Sequence, residues 1–180
     1  MSFRDTILKF VDSLKVEDKP IWAYKLSKST DFTVYSSCFA VLVKDLFNGL
    51  DDLSSDNKSE WITYIQSFQD KETGYFKDPD SYKRVTDPHH DVKHLDLQLT
   101  TYSIAALESL GAQSKYPLKF IHDFHDKSYM LNYLNNLNWK RSWNSGNKVM
   151  LVAINLIYNY EKFNCKKSQK AVDFWFEWMD

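Results

Sequence analysis

Apolar residues along this chain recur mostly at three- and four-residue spacing, the period of a helix with one packed face. Residues 3–15 set Phe3, Ile7, Leu8, Val11 and Leu14 on one side of a short amphipathic helix. Pro20 stops its continuation. The mixed segment 21–29 reads as a loop that packs through Trp22 and Tyr24. Thr30 or Asp31 can cap a second helix through FTVYSSCFAVLVKDLFNGL, with Gly49 at its C-terminal end. That helix is apolar nearly all round, which predicts burial on more than one side. The polar connector LDDLSSDNKSE leads into a third helix that begins at Ser59 and Glu60 and carries Trp61, Ile62, Tyr64, Ile65 and Phe68. Gln69 closes it, Gly74 stands where a tight turn needs positive φ, and Phe76 returns an aromatic ring to the helix.

KDPDSYKRVTDPHHDVKH follows, a polar stretch with Pro79 and Pro88 that reads as a long loop. Loops of that length in a compact domain tend to carry function. A helix over about 95–110 ends at Gly111, and Pro117 can open the next element, PLKFIHDFHDKSYMLNYLNNL, read as two short helices. WKRSWNSGN reads as another loop punctuated by Gly146. A strongly apolar helix over 147–163, a turn at FNCKKSQ, and a last helix capped by Ser168 complete the chain.

Three of the more polar helices share a five-residue core: 61–65 (WITYI), 130–134 (MLNYL) and 175–179 (WFEWM). Each follows a more apolar helix, at about 31–48, 95–110 and 147–161, and two of those carry a Tyr-Ser pair, Tyr35-Ser36 and Tyr102-Ser103. The expected fold is therefore all-α: repeated helical hairpins with apolar inner and amphipathic outer members, forming part of an (α/α) toroid or a short solenoid. Residues 1–180 are expected to form a single helical domain. The last hairpin stops before its closing loop. Either its helix is a natural cap or the chain is the N-terminal part of a longer toroid, and the second reading is preferred.

Composition narrows the function classes. Of 180 residues, 43% are hydrophobic and 16% aromatic, with only four Gly and four Pro, which disfavours a turn-rich β-sandwich. The formal charge is −1, so no global field favours nucleic acid or an anionic membrane. Cys38 and Cys165 lie far apart in sequence, and Cys38 reads as a buried thiol rather than half of a disulfide. MSFRDTILKF is not a signal peptide, and no stretch approaches the ~20 apolar residues of a membrane span. By elimination the expected location is cytoplasmic.

YIQSFQDKETGYF, through Tyr64, Ile65, Gln69, Gly74 and Phe76, resembles the QW-type repeat of the α/α-toroid proteins, the terpene cyclases and protein prenyltransferase β-subunits. Its Gln-to-Gly spacing is a variant, often one residue shorter in the family. HLDLQLTTYSIAALESLGA is similar to an inner helix of such rings. The resemblance covers about 30–112 and implies an (α/α) ring. It carries no catalytic residue across: the Asp-x-Asp-Asp acid of the cyclases is missing, and neither cysteine has an Asp two positions before it, as the prenyltransferase zinc site requires.

Candidate chemistry concentrates in DPHHDVKHLD. His90 and His94 are four apart and would share a helix face, with Asp91 or Asp96 beside them. Without a His-Glu-x-x-His pattern no metal is assigned, and no cofactor is expected. The preferred reading delivers His90 and His94 to the mouth of a central cavity as acid–base groups, with Asp96 orienting them. Tyr35, Tyr102, Trp139 and Trp143 are candidate ligand-binding walls, since aromatic faces suit both sugars and carbocations. His122 and His125 read as solvated. The expectation is a domain of metabolic-enzyme ancestry binding a sugar or isoprenoid-like ligand. The alternative is a non-catalytic helical-repeat module for protein interaction. Under either reading, missing C-terminal repeats or a second subunit are the expected partners. The pattern leaves open whether the chain is an enzyme.

Overall fold

A computed structural model describes residues 2–17, 22–82 and 92–179, and these are mostly helical. They divide into two compact units. One comprises 1–69 and 76–115, the other 70–75 and 116–180.

In the first unit α1 (Phe3–Asp12) begins with a capping box between Ser2 and Asp5. A two-residue antiparallel ladder follows, β1 (Tyr24–Lys25) against β2 (Phe32–Thr33). The loop read from the sequence thus contains a small hairpin, and its rings pack as expected. Trp22 and Tyr24 both stack on Trp61, at 4.8 and 5.3 Å between centroids. The Lys15 ammonium lies 3.9 Å from the Trp22 ring centre.

α2 (Val34–Leu46) is capped by Thr33, whose hydroxyl accepts from the Ser36 amide, and not by Thr30 or Asp31, because the β2 ladder occupies that stretch. At its end the left-handed residue is Asn48 (φ 51°), and the next amide, of Gly49, donates 2.6 Å to the Lys44 carbonyl. A Cβ at Gly49 would lie 2.7 Å from Leu8 Cδ2, so the Leu8 side chain would have to shift to admit one. The Arg4 guanidinium closes the same corner on the Phe47 and Asn48 carbonyls, at 2.7 and 3.0 Å.

α3 (Ser55–Gln66) starts four residues before the expected position, because Ser54 caps it. Trp61 comes level with Ser37 and donates to its hydroxyl at 2.7 Å, so α3 runs back along α2. α3 ends at Gln66. Gln69 lies beyond it, in an isolated bridge with Phe76. The Phe76 ring is fully buried, and its amide donates to Thr100 Oγ1 at 2.9 Å. α4 (Pro79–Tyr82) is a single turn within the expected long loop. α5 (Val92–Ser109) begins earlier than expected and ends before Gly111 (φ 79°). Tyr35 meets Tyr102, Cys38 meets Ser103, and Asp45 accepts from the Ser109 hydroxyl, so α2 and α5 lie side by side and parallel.

In the second unit Gly74 has φ 82°, and a Cβ there would fall 2.8 Å from Leu118 Cα. Tyr75 stacks on Phe120 at 3.7 Å. A 3₁₀ segment, Lys119–His125, precedes α6 (Lys127–Asn135), which Asp126 caps. WKRSWNSGN is helical rather than a loop. A 3₁₀ turn at Trp139–Arg141 runs into α7 (Ser142–Phe163), and Gly146 lies inside α7. Asn164 (φ 52°) turns the chain into α8 (Lys166–Met179), antiparallel to α7. Ser168 is a buried residue of α8 and not its cap. Among the described residues no helix is long and apolar enough to cross a membrane. Trp61, Met130 and Trp175, the first residues of the three shared cores, are all buried. Met179 at the end of the third is exposed, unlike Ile65 and Leu134.

Candidate functional site

Buried polar groups in the first unit gather where α2, α4 and α5 begin. Asp78 is the hub of the first group. Its Oδ2 accepts from the Val34 amide at 2.9 Å and from Ser81 Oγ at 3.1 Å, and its Oδ1 accepts from the Asp80 amide at 3.0 Å. One carboxylate thus caps two helices, α2 and α4, where exposed amides and helix dipoles favour an anion. Pro79 in the first turn of α4 suits this arrangement, since that position has no amide to satisfy.

The α4 turn in its turn presents Tyr82, whose hydroxyl donates to Asp96 Oδ1 on α5. Burial raises the Asp96 carboxyl above the ordinary carboxylate value, against the Tyr82 hydrogen bond and the Lys77 charge, which favour the anion. Burial, with the Asp96 hydrogen bond, also pushes the Tyr82 phenol up. The result is a carboxyl that keeps its proton to higher pH than usual, held against a phenol that keeps its own. Such a pair can donate or accept hydrogen bonds to a bound hydroxyl and can hand over a proton.

A ring cluster lies at the start of α2 and midway along α5. Tyr35 and Phe39 of α2 pack on Tyr102 of α5, with centroids 5.3 and 4.9 Å from its ring. Burial, then the proximity and hydrogen bond of Tyr102, raises the Tyr35 phenol. Burial drives the Cys38 thiol beneath them up to about 12, so it stays protonated and unreactive. Its Sγ lies 3.6 Å from Ser103 Oγ.

No family model, curated protein or solved structure matches this chain.

The sequence-derived candidates distribute as follows. His94 and Asp96 are both buried, on the first turns of α5. They are two apart and leave the helix on different sides, and Asp96 takes the Tyr82 hydroxyl. His90 and Asp91 lie outside the described residues. Tyr35 and Tyr102 touch. Trp139 and Trp143 belong to the second unit. Trp139 packs 5.7 Å from Trp178, and Trp143 is 83% exposed.

Trp139 borders an apolar groove between α7 and α8 of about 750 Å³, lined also by Met150, Ile154, Trp178 and Met179. His125 is tied to α8 rather than merely solvated, with Nε2 2.8 Å from Ser168 Oγ. Among the described residues no cluster of three His, Cys, Asp or Glu side chains could hold a metal ion.

Tyr82 and Asp78 escaped the sequence reading. Asp-Pro-Asp-Ser-Tyr carried the signal, a cap residue followed by proline at the first helical position. Set within a long polar stretch, the run reads as loop.

Proposed function

We propose that this chain is an α/α-toroid-like domain that binds a carbohydrate at the N-terminal ends of α2 and α5. The observation that carries the reading is the Tyr82–Asp96 pair, in which a half-buried phenol of α4 holds a buried carboxyl near the start of α5. Support comes from the parallel pairing of α2 with α5, with α3 running back along α2. That is one inner–outer–inner step of the hairpin order expected from the resemblance. The Tyr35, Phe39 and Tyr102 rings add apolar faces of the kind that pack on pyranose rings. A sugar suits this polar pairing better than an isoprenoid, whose enzymes rely on an acid or zinc signature that the sequence lacks. In this reading Asp96 and Tyr82 contact sugar hydroxyls.

A second reading, a non-catalytic interaction or accessory module, is favoured by the second unit. Its α7–α8 face exposes Trp143, Met150, Phe176 and Met179.

Binding of the purified protein to an array of mono- and oligosaccharides, followed by calorimetry on any hit, separates the two. The carbohydrate reading expects Tyr82→Phe and Asp96→Asn each to weaken the hit about tenfold or more, the effect of losing a buried polar partner. Binding unchanged in both variants, or no sugar bound at all, removes it.

A further inference from the structure

His125, Ser168 and Asn159 form a chain of side-chain hydrogen bonds that joins three elements of the second unit. The Leu118 amide donates to Asn159 Oδ1 at 3.2 Å, which fixes the orientation of the Asn159 amide. Asn159 Nδ2 must then face Ser168, and it donates to Ser168 Oγ at 3.3 Å. Where His125 carries its hydrogen on Nδ1, the Ser168 hydroxyl can direct its own hydrogen to His125 Nε2, 2.8 Å away. In that tautomer Nε2 offers the lone pair and the neutral ring completes the chain.

We propose that this relay is a proton-operated clamp, which holds α8 against the 3₁₀ segment while His125 is neutral and loosens it when His125 takes a proton. An imidazolium would turn an N–H toward the Ser168 hydroxyl and force that hydrogen away from the ring, at a serine that is itself fully buried. α8 packs on the 3₁₀ segment as well as on α7. Ser168 and Ala171 are buried along it, and Trp175 packs against Phe124 of the 3₁₀ segment at 6.1 Å and against Tyr133 of α6 at 6.4 Å.

The groups facing His125 reinforce the clamp. His122 of its own segment is 4.9 Å away between ring centres, and Lys167 of α8 adds a positive charge. Cys165, in the turn before α8, places its Sγ 3.9 Å from the same Nε2, and the neutral Asn159 of α7 reaches the ring through Ser168. Burial first, then the charges of His122 and Lys167, holds the His125 ring below the ordinary value of 6.5. The sign follows: the unfolded chain takes up the proton first, so the clamp is at full strength above 6.5 and weakens as pH falls through the native value.

The test is hydrogen exchange of α8 amides between pH 8 and pH 5, corrected for intrinsic rates, with the His125 ring titration followed by NMR. The expected result is a rise in α8 opening as His125 titrates, about tenfold for each pH unit by which its native value lies below 6.5. His125→Gln, which cannot titrate, is expected to remove the step, and His122→Gln to move its midpoint up. Opening of α8 that does not change across the His125 titration overturns the proposal. So does a step that persists unchanged in His125→Gln. If His125→Gln fails to fold, the wild-type titration and His122→Gln decide.

Discussion

Tyr82, the last residue of α4, gives its phenolic hydrogen to Oδ1 of Asp96 on α5. The pair fixes the short turn to the start of the long helix. It also sets an unusual protonation balance, because burial raises the carboxyl while the phenol favours its anion.

That balance gives a prediction with a definite sign. The native state binds the Asp96 proton more tightly than the unfolded chain does. Its contribution is fully present below the unfolded value of 3.8 and is lost as pH rises through the native value. Tyr82→Phe removes a donor to a buried carboxylate and is expected to cost about 1–3 kcal/mol at pH 7, with a smaller loss at pH 4. Asp96→Asn keeps an acceptor for Tyr82 and is expected to flatten the stability–pH curve over the same window. Urea unfolding across pH reads both.

Two glycines with nearly the same backbone angle predict different costs. Gly74 (φ 82°) would drive a Cβ into the Pro117 carbonyl and Leu118, whereas Gly111 (φ 79°) opens on space. Gly111→Ala carries only left-handed strain, about 1–2 kcal/mol. Gly74→Ala adds overpacking against backbone, for a total of about 2–5 kcal/mol. Equal thermal shifts in the two variants would show that the 70–75 corner gives way freely.

Trp61 is completely buried, stacked with Trp22 and Tyr24 and hydrogen-bonded to Ser37. Trp61→Ala is expected to cost about 3–5 kcal/mol. Trp61→Phe should lose less, keeping the stack while leaving the Ser37 hydroxyl short of a donor. Chemical denaturation with tryptophan emission measures both.

The Tyr64 hydroxyl is buried and has no hydrogen-bond partner among the described residues. An orphaned buried hydroxyl costs free energy that its removal restores. Tyr64→Phe is therefore expected to be neutral or to stabilise by up to about 1 kcal/mol, unlike most core changes. A clear loss in calorimetric Tm would mean that the hydroxyl is satisfied in solution.

Helix identity followed from local pattern, and boundaries did not. The apolar period placed α1, α2, α3, α5 and α7, because a buried stripe must repeat at the helical period wherever it packs. Caps were chosen among neighbouring polar residues, and tertiary pairing decided between them. Thr33 caps α2 because β2 pairs with β1 through residue 33. Ser168 looks like a cap and is a buried hydroxyl, because His125 and Asn159, distant in sequence, converge on it. Gly146 reads as punctuation, yet α7 absorbs it, since a single glycine costs only about 1 kcal/mol in a long helix.

The sequence by itself determined that the chain is helical, that Cys38 is a buried thiol, and that Gly74 turns a corner closed by Phe76. Period, burial preference and the demand for positive φ are properties of residues and their near neighbours. Only the tertiary structure decided that Asp78 caps two helices, that Asp96 answers to Tyr82, and that Tyr35 and Tyr102 lie in one unit while Trp139 and Trp143 lie in another. Those pairings depend on how far-separated segments meet. A side chain's partner across such a gap is set by packing geometry, which no local spacing records.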